Sequence, residues 1–134
     1  MEAEKQPIRS YRDLRVYQRS MELLGPIHKL VLAFPDYEKF GLADQMRRAC
    51  RSVPTNIVEG YGRRGSAKDF KYYLGIAMGS ANEMVVHLEV SRQLGYAGDD
   101  ECARYIDAYE SIGKQLHMLI SRWRSDGRPP TSNV

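Results

Sequence analysis

The 134-residue chain has only two cysteines and three histidines. Two thiols are too few for a disulfide framework, and Cys50 and Cys102 lack the neighbouring ligands of a zinc site, so we expect no metal and no cofactor. The longest apolar run, residues 30–34, is far too short to cross a bilayer, and the first ten residues lack the apolar core of an export signal. These scarcities predict a cytoplasmic protein with no membrane partner.

The chain also has little net charge, +3, but the charge is distributed unevenly. Residues 39–71 contain eight basic and three acidic side chains, whereas residues 83–110 contain seven acidic and two basic ones. Such polarisation affects docking and self-association more than it affects the fold.

The fold class follows from the spacing of apolar residues, which recur at helical intervals in four stretches, without a period-two segment long enough for strands. We predict an all-α protein with helices over residues 11–34, 41–60, 67–95 and 99–124, in a single domain spanning residues 1–124. Short loops between helices of this length favour an up-down-up-down four-helix bundle. The polar tail, residues 125–134, contains two adjacent prolines and is predicted to be disordered.

Two prolines fall inside the predicted helices. Ser10 and Asp13 are suited to cap the first helix, and Pro26 is expected to kink it without ending it. Pro54 lies in the middle of the second helix and makes that helix the least secure of the four. The apolar stripe of the first helix is predicted to consist of Leu14, Tyr17, Met21, Leu24, His28 and Val31.

The next two helices have apolar stripes of the same spacing. The predicted stripe of the second helix is Leu42, Met46, Ala49, Val53, Ile57 and Gly60. The predicted stripe of the third helix is Phe70, Leu74, Ala77, Ala81, Met84, Leu88, Ser91 and Gly95. Ser66, with Asp69 three residues later, is predicted to cap the third helix.

A row of polar residues follows the apolar stripe of the second helix. It consists of Gln45, Ser52, Asn56 and Glu59, and we assign Ser80 and Glu83 of the third helix to the same set. Such a row forms either a hydrogen-bonded network between helices or a groove, and the network is the commoner arrangement. Because the row has no histidine, lysine or metal partner for proton transfer, we predict that the protein is not an enzyme.

The third helix carries apolar residues on nearly every side. The excess beyond its main stripe consists of Tyr72, Ile76, Met78, Val85, Val86 and Val90. One four-helix bundle buries only one face of each helix, so the excess predicts a second copy of the chain as partner. Gly75 and Gly79 would let another backbone approach closely. We therefore place Gly75, Met78, Gly79 and Val86 at an interface between copies. The alternative is that these residues are apolar side chains scattered over the surface.

Basic residues cluster on the second helix, the following turn and the start of the third helix. They are Arg47, Arg48, Arg51, Arg63, Arg64, Lys68 and Lys71. Arginine and lysine bind phosphates, so one hypothesis is contact with the backbone of structured RNA or a ribonucleoprotein. The alternatives are a solvated face, or docking against the acidic region of a neighbouring subunit. We identify no aromatic stacking platform beside this cluster in the sequence.

Several motifs together resemble the four-helix-bundle proteins encoded by intervening sequences within bacterial 23S ribosomal RNA genes. They are residues 41–49 (GLADQMRRA), residues 52–60 (SVPTNIVEG), residues 94–96 (LGY), Tyr11 with Leu14, Val16 and Tyr17, and Phe70 with Leu74, Ile76, Ala77, Gly79, Ser80 and Glu83. The resemblance implies a left-handed bundle, assembly into a homopentameric ring and no established enzymatic role.

The same fold is similar to the accessory protein of diversity-generating retroelements, a basic pentamer that engages a reverse transcriptase and nucleic acid. Two functions remain open from the sequence. One is a self-associating bundle that binds RNA, and the other is a scaffold that docks a partner enzyme such as a reverse transcriptase or a nuclease.

Overall fold

A computed structural model describes residues 7–123, and within this range the protein is helical with no strand. The described residues form five α-helices in four helical segments, which we call arms. The first arm consists of the first two α-helices. The helices are α1 (Arg15–Glu22), α2 (Leu24–Leu32), α3 (Leu42–Gly62), α4 (Ala67–Gln93) and α5 (Asp99–Arg122), with short 3-10 helices at Tyr11–Asp13 and Asp36–Glu38. The all-α prediction is confirmed. The predicted tail, residues 125–134, lies outside the described residues, as do residues 1–6 and 124.

The first predicted helix starts one turn later than expected. The Asp13 carboxylate accepts hydrogen bonds from the backbone N–H groups of Arg9 and Ser10, at 2.8 and 3.0 Å, which lowers the pKa of Asp13. This cap belongs to the short 3-10 helix rather than to an α-helix. Leu14 is extended, with φ −73° and ψ 124°, so the regular helix begins only at Arg15. The prediction of one helix from residue 11 is therefore wrong.

The expected kink is an interruption of the helix at Leu23, between α1 and α2. Pro26 has no N–H to donate to the carbonyl of Glu22. Leu23 nevertheless keeps helical dihedral angles, and the Ile27 N–H donates to its carbonyl at 3.0 Å, so the ladder resumes.

The predicted stripe is confirmed in part: Leu14 and Val31 are buried and Tyr17 and Leu24 pack half-buried against the core, whereas Met21 is 42% exposed. The prediction missed the buried residues Val16, Ser20, Ile27, Leu30 and Phe34. Ser20 is tolerated in the core because its hydroxyl donates to the Tyr17 carbonyl at 2.9 Å.

α3 stays continuous through Pro54, whose side chain is buried. Its predicted stripe packs inward, with Met46, Ala49, Val53 and Ile57 all buried. Proline in a helix interior costs one hydrogen bond, here to the Cys50 carbonyl, and burial of the ring against α1 and α2 offsets part of that cost.

α4 is the central helix of the packing, in contact with both α3 and α5, and α1 contacts α5 to complete the bundle. Its buried stripe is the predicted one: Phe70, Leu74, Ala77, Ala81, Met84, Leu88 and Ser91. α3 and α4 are antiparallel, since residues early in α3 contact residues late in α4. Met46 meets Ser91 and Ser52 meets Ser80, while Gly60 lies against Leu74.

One side of the bundle is open. No residue of α2 has its Cα within 8 Å of α5, although α1 does contact α5. The separation leaves a groove of about 530 Å³ whose walls include Lys29 and Leu30 on α2 and Glu101 and Tyr105 on α5. The interruption at Leu23 is where the two halves of the first arm take these different positions.

We predict that Gly60→Ala lowers the free energy of unfolding by about 1–2 kcal/mol, because the new methyl group would overpack the junction of α3 and α4. A Cβ at Gly60 would lie 2.5 Å from Leu74 Cδ1 and 3.3 Å from the Phe70 carbonyl oxygen. Gly62→Ala is the matched control, since a Cβ there meets nothing within 4 Å. Urea denaturation of both variants checks this, and equal stability for the two would contradict it.

We also predict that Tyr109→Phe stabilises the protein by about 1 kcal/mol. Within the described range, the buried Tyr109 hydroxyl has no hydrogen-bond partner, and burial raises its pKa. Removing an unsatisfied hydroxyl removes its desolvation cost. Tyr72→Phe serves as control, because that side chain is 63% exposed and its hydroxyl is hydrated. A loss of thermal stability in Tyr109→Phe would show that an internal partner satisfies the hydroxyl.

Candidate nucleic-acid interface

Three of the predicted basic residues, Arg47, Arg48 and Arg51, lie on the outer face of α3; we call them the helix patch. Asp44 pairs with Arg48 at 2.9 Å and lies 3.6 Å from Arg47. Arg47 also donates to the Lys39 carbonyl, at 2.9 Å, and so is held against the loop before α3. In the described part of the chain Arg51 has no carboxylate partner, and its Nε donates to the Arg47 carbonyl.

The other four basic residues, Arg63, Arg64, Lys68 and Lys71, surround the turn between α3 and α4; we call them the turn patch. Arg63 pairs with Glu59, at 2.9 Å. Arg64 lies over the Tyr61 ring, with its guanidinium carbon 4.2 Å from the ring centroid, and donates to the Tyr61 carbonyl. Lys68 and Lys71 are exposed, and neither has a carboxylate partner among residues 7–123.

The two patches do not form the single cluster that the sequence suggested. Arg47 and Arg63 are sixteen residues apart on one helix, a distance of about 24 Å at 1.5 Å per residue. Three of the seven cations also share their charge with a neighbouring carboxylate, Asp44 or Glu59. Among the described residues of the two patches, the exposed cations free of such pairing are Arg51 on α3 and the adjacent pair of Lys68 and Lys71 at the turn.

Beside the turn patch lies an aromatic pair that sequence reasoning missed. Tyr72 and Tyr73 meet edge to face, with centroids 5.1 Å apart and an angle of 83° between the ring planes. The Arg63 guanidinium carbon lies 5.1 Å from the centroid of the Tyr73 ring. Tyr72 had been counted with the apolar excess of the third helix. Its position four residues after Lys68 was the signal that could have identified it.

The predicted polar network is smaller than expected. The Ser80 hydroxyl donates to the Ser52 Oγ at 2.8 Å, and the Asn56 amide donates to the same oxygen at 3.0 Å. This half-buried group joins α3 to α4. Gln45 is exposed and makes none of these hydrogen bonds.

The two carboxylates assigned to that network lie elsewhere. Glu59 pairs with Arg63 one helical turn later, and Glu83 lies 3.3 Å from the Nε2 of His87. Each acidic residue thus has a partner at the i+4 position on its own helix, where such pairs form readily. What remains is a neutral set of two hydroxyls and one amide, which has no group able to transfer a proton near neutral pH.

α4 carries a second apolar stripe on the side opposite its buried one. It runs through Tyr72, Ile76, Gly79, Val86 and Val90, and the charged Glu83 interrupts it between Gly79 and Val86. Tyr72 and Val86 are 63% and 57% exposed. Of the predicted interface residues, Gly79 and Val86 lie on this stripe, while Gly75 and Met78 are half-buried at its edge. A Cβ added at Gly75 or Gly79 would meet nothing within 4 Å.

Both cysteines are buried in the bundle as free thiols. Burial raises the pKa of the Cys50 thiol to about 11 and also raises that of Cys102, so neither is ionised near neutral pH. In the described range no three His, Cys, Asp or Glu side chains come together as metal ligands. The helices described here also include none that is both long and apolar enough to span a bilayer.

Comparison with known proteins agrees with this architecture. Residues 12–118 match the family model described as 23S rRNA-intervening sequence protein. A crystal structure of a protein of unknown function from the S23 ribosomal protein family of Bacteroides thetaiotaomicron is 27% identical, with a TM-score of 0.71. The similarity covers 79% of this chain and 95% of that one. No curated protein matches the chain. Since the family model spans most of the sequence, the chain belongs to the 23S rRNA-intervening sequence protein family.

Proposed function

We propose that this protein is a non-enzymatic, self-associating helical bundle that binds RNA, alone or within a ribonucleoprotein, through backbone phosphates. The observation that carries the proposal is the turn patch, where Lys68 and Lys71 are exposed cations without carboxylate partners in the described range. Arg63 and Arg64 flank them. Phosphate contacts of this kind provide affinity without reading the base sequence.

Self-association is the second part of the proposal. We infer a left-handed, up-down-up-down bundle that assembles into a ring, five copies as in the family that the sequence resembles. The exposed second stripe of α4 supports this, because a heptad-spaced apolar face is the kind of surface that another helix covers. A ring repeats the turn patch once per subunit. Several weak phosphate contacts on one RNA then act together, so the avidity exceeds that of a single subunit.

The absence of catalysis is likewise proposed. It is supported by the neutral composition of the Ser52–Asn56–Ser80 group and by the raised pKa values of the buried thiols. Neither group supplies a nucleophile or a general base at neutral pH.

A scaffold that docks a partner protein is the second candidate, favoured by apolar side chains at the other end of the bundle. Leu32 and Phe40 are 82% and 88% exposed there. At the same end, the segment before α3 and the loop between α4 and α5 are joined by a hydrogen bond between the hydroxyls of Tyr37 and Tyr96, at 2.9 Å. A stoichiometric partner protein that co-purifies from the native cell without nucleic acid would favour the scaffold over RNA binding.

The first prediction concerns salt dependence. The protein should bind RNA with an affinity that falls steeply with salt, and Lys68→Gln with Lys71→Gln should reduce the slope of log K against log salt by about 2, one per lost phosphate contact. Lys29→Gln with Lys114→Gln is the matched control, because both lysines are exposed on other surfaces. Fluorescence anisotropy with labelled RNA measures the slopes, and RNA affinity that does not change with salt would rule the proposal out.

The second prediction concerns assembly. Val86→Glu should dissociate the oligomer, because it replaces an apolar side chain of the exposed stripe with a second carboxylate, one helical turn after Glu83. Leu32→Glu makes the same change at a side chain that is 82% exposed and off the stripe, and should leave the assembly intact. Light scattering of each variant at micromolar concentration measures the mass. A wild-type protein that is monomeric under these conditions would contradict self-association.

A further inference from the structure

We propose that Tyr72 is a stacking platform for an unpaired base, so that the turn patch binds single-stranded nucleotides in preference to duplex. This inference rests on the proposed RNA binding and specifies which form of the RNA the site takes. The observation behind it is the placement of an exposed aromatic ring among cations at one end of the bundle.

The Tyr72 ring has apolar area available for stacking. The side chain is 63% exposed, and in the described range Tyr73 is the only aromatic ring that packs against it. Exposing a ring of this size to water is unfavourable, and a base that stacks on it removes that area from water. Every base has a π-face, so such a platform binds unpaired nucleotides with little dependence on sequence.

The platform is held in place by a chain of contacts. The Glu59 carboxylate pairs with Arg63 at 2.9 Å, Arg63 lies over the Tyr73 ring, and Tyr73 meets the edge or face of Tyr72. Tyrosine has only two side-chain torsions, so ordering it costs little conformational entropy. The ring is therefore largely oriented before a nucleotide arrives, which reduces the cost of binding.

The charges beside the ring match the chemistry of a nucleotide. Lys71 is the preceding residue, and Lys68 lies one helical turn before Tyr72 on the same face. Both are exposed and free of carboxylate partners within residues 7–123. A cation next to an aromatic face can contact the phosphate while the ring contacts the base. Paired bases in a duplex are already stacked on each other and do not offer their faces, which is why the site favours unpaired nucleotides.

Tyr72 is also distant from the centre of the proposed subunit contact. It lies in the second turn of α4, about 21 Å along the helix from Val86 at 1.5 Å per residue. The end of the stripe can therefore take a base while the middle of the stripe is covered by another copy of the chain.

The test compares a labelled single-stranded RNA, a hairpin duplex of equal phosphate number and the single strand with abasic positions, all at one salt concentration. We expect the single strand to bind more tightly than both others. Tyr72→Ala should weaken single-strand binding by about 5- to 150-fold, the range of one lost base stack, with an unchanged salt slope. Tyr72→Phe should bind as the wild type does. Phe40→Ala, which removes an 88% exposed ring at the other end, is the control and should have no effect.

Each contrary outcome has a distinct meaning. Equal affinity for the three RNAs, with Tyr72→Ala unchanged, would overturn base stacking and leave phosphate binding in place. Failure of the wild-type protein to bind any of the RNAs, even at low salt, would instead overturn the proposed function. Light scattering of Tyr72→Ala separates a third case, because a change of oligomeric mass would assign Tyr72 to the contact between subunits and overturn the platform.

Discussion

The close approach of α3 and α4 at Gly60 is the constraint on which the rest of the structure depends. Gly60 is buried with Leu74, Phe70 and Tyr73 directly against it, so α4 packs there on the bare backbone of α3. Just beyond it, Phe70 stacks on Trp123 with centroids 4.2 Å apart, and Tyr61 meets the same indole edge to face. The last turn of α5 is thereby fixed to the α3–α4 junction. The turn patch and the Tyr72–Tyr73 pair lie at the surface of this rigid end.

α4 has two faces with opposite requirements. One stripe is fully buried between α3 and α5, and the other, through Ile76, Gly79 and Val86, remains exposed in a single subunit. Both stripes follow alternating steps of four and three, interrupted in the exposed one by Glu83, and this is the spacing of a helix that packs on two sides. The exposed stripe and the uneven charge distribution of the chain are both features that affect docking and self-association. In the self-association we propose, a second copy would cover the exposed stripe, and each added copy would repeat the turn patch.

The sequence predicted the helices well because apolar spacing and turn residues determine where helices form. The buried stripes of α3 and α4 were predicted residue by residue, and Ser66 does cap α4 by accepting the Asp69 N–H, at 3.2 Å. The first arm was less predictable. One of its buried residues is the polar Ser20, whose hydroxyl donates a hydrogen bond to the Tyr17 carbonyl. A prediction based on apolar residues alone selects the exposed Met21 instead.

The candidate site was only partly predictable. The cations were visible, but a run of basic residues in the sequence does not show that helix rise separates Arg47 from Arg63, nor that Asp44 and Glu59 pair with their neighbours. Tyr72 was predicted to belong to the apolar excess that a second copy covers. The sequence does not show that its ring meets Tyr73, nor that Arg63 lies over the Tyr73 ring.

The interruption at Leu23 has a consequence for how the folded chain fluctuates. Among the helices, α2 contacts α3 and α1, and the groove separates it from α5. α1, in contrast, contacts both α3 and α5. A segment with fewer tertiary neighbours opens at a lower free energy than the global unfolding transition. The backbone amides of α2 should accordingly exchange with deuterated solvent ahead of those of α4, so that the two halves of one arm belong to different cooperative units.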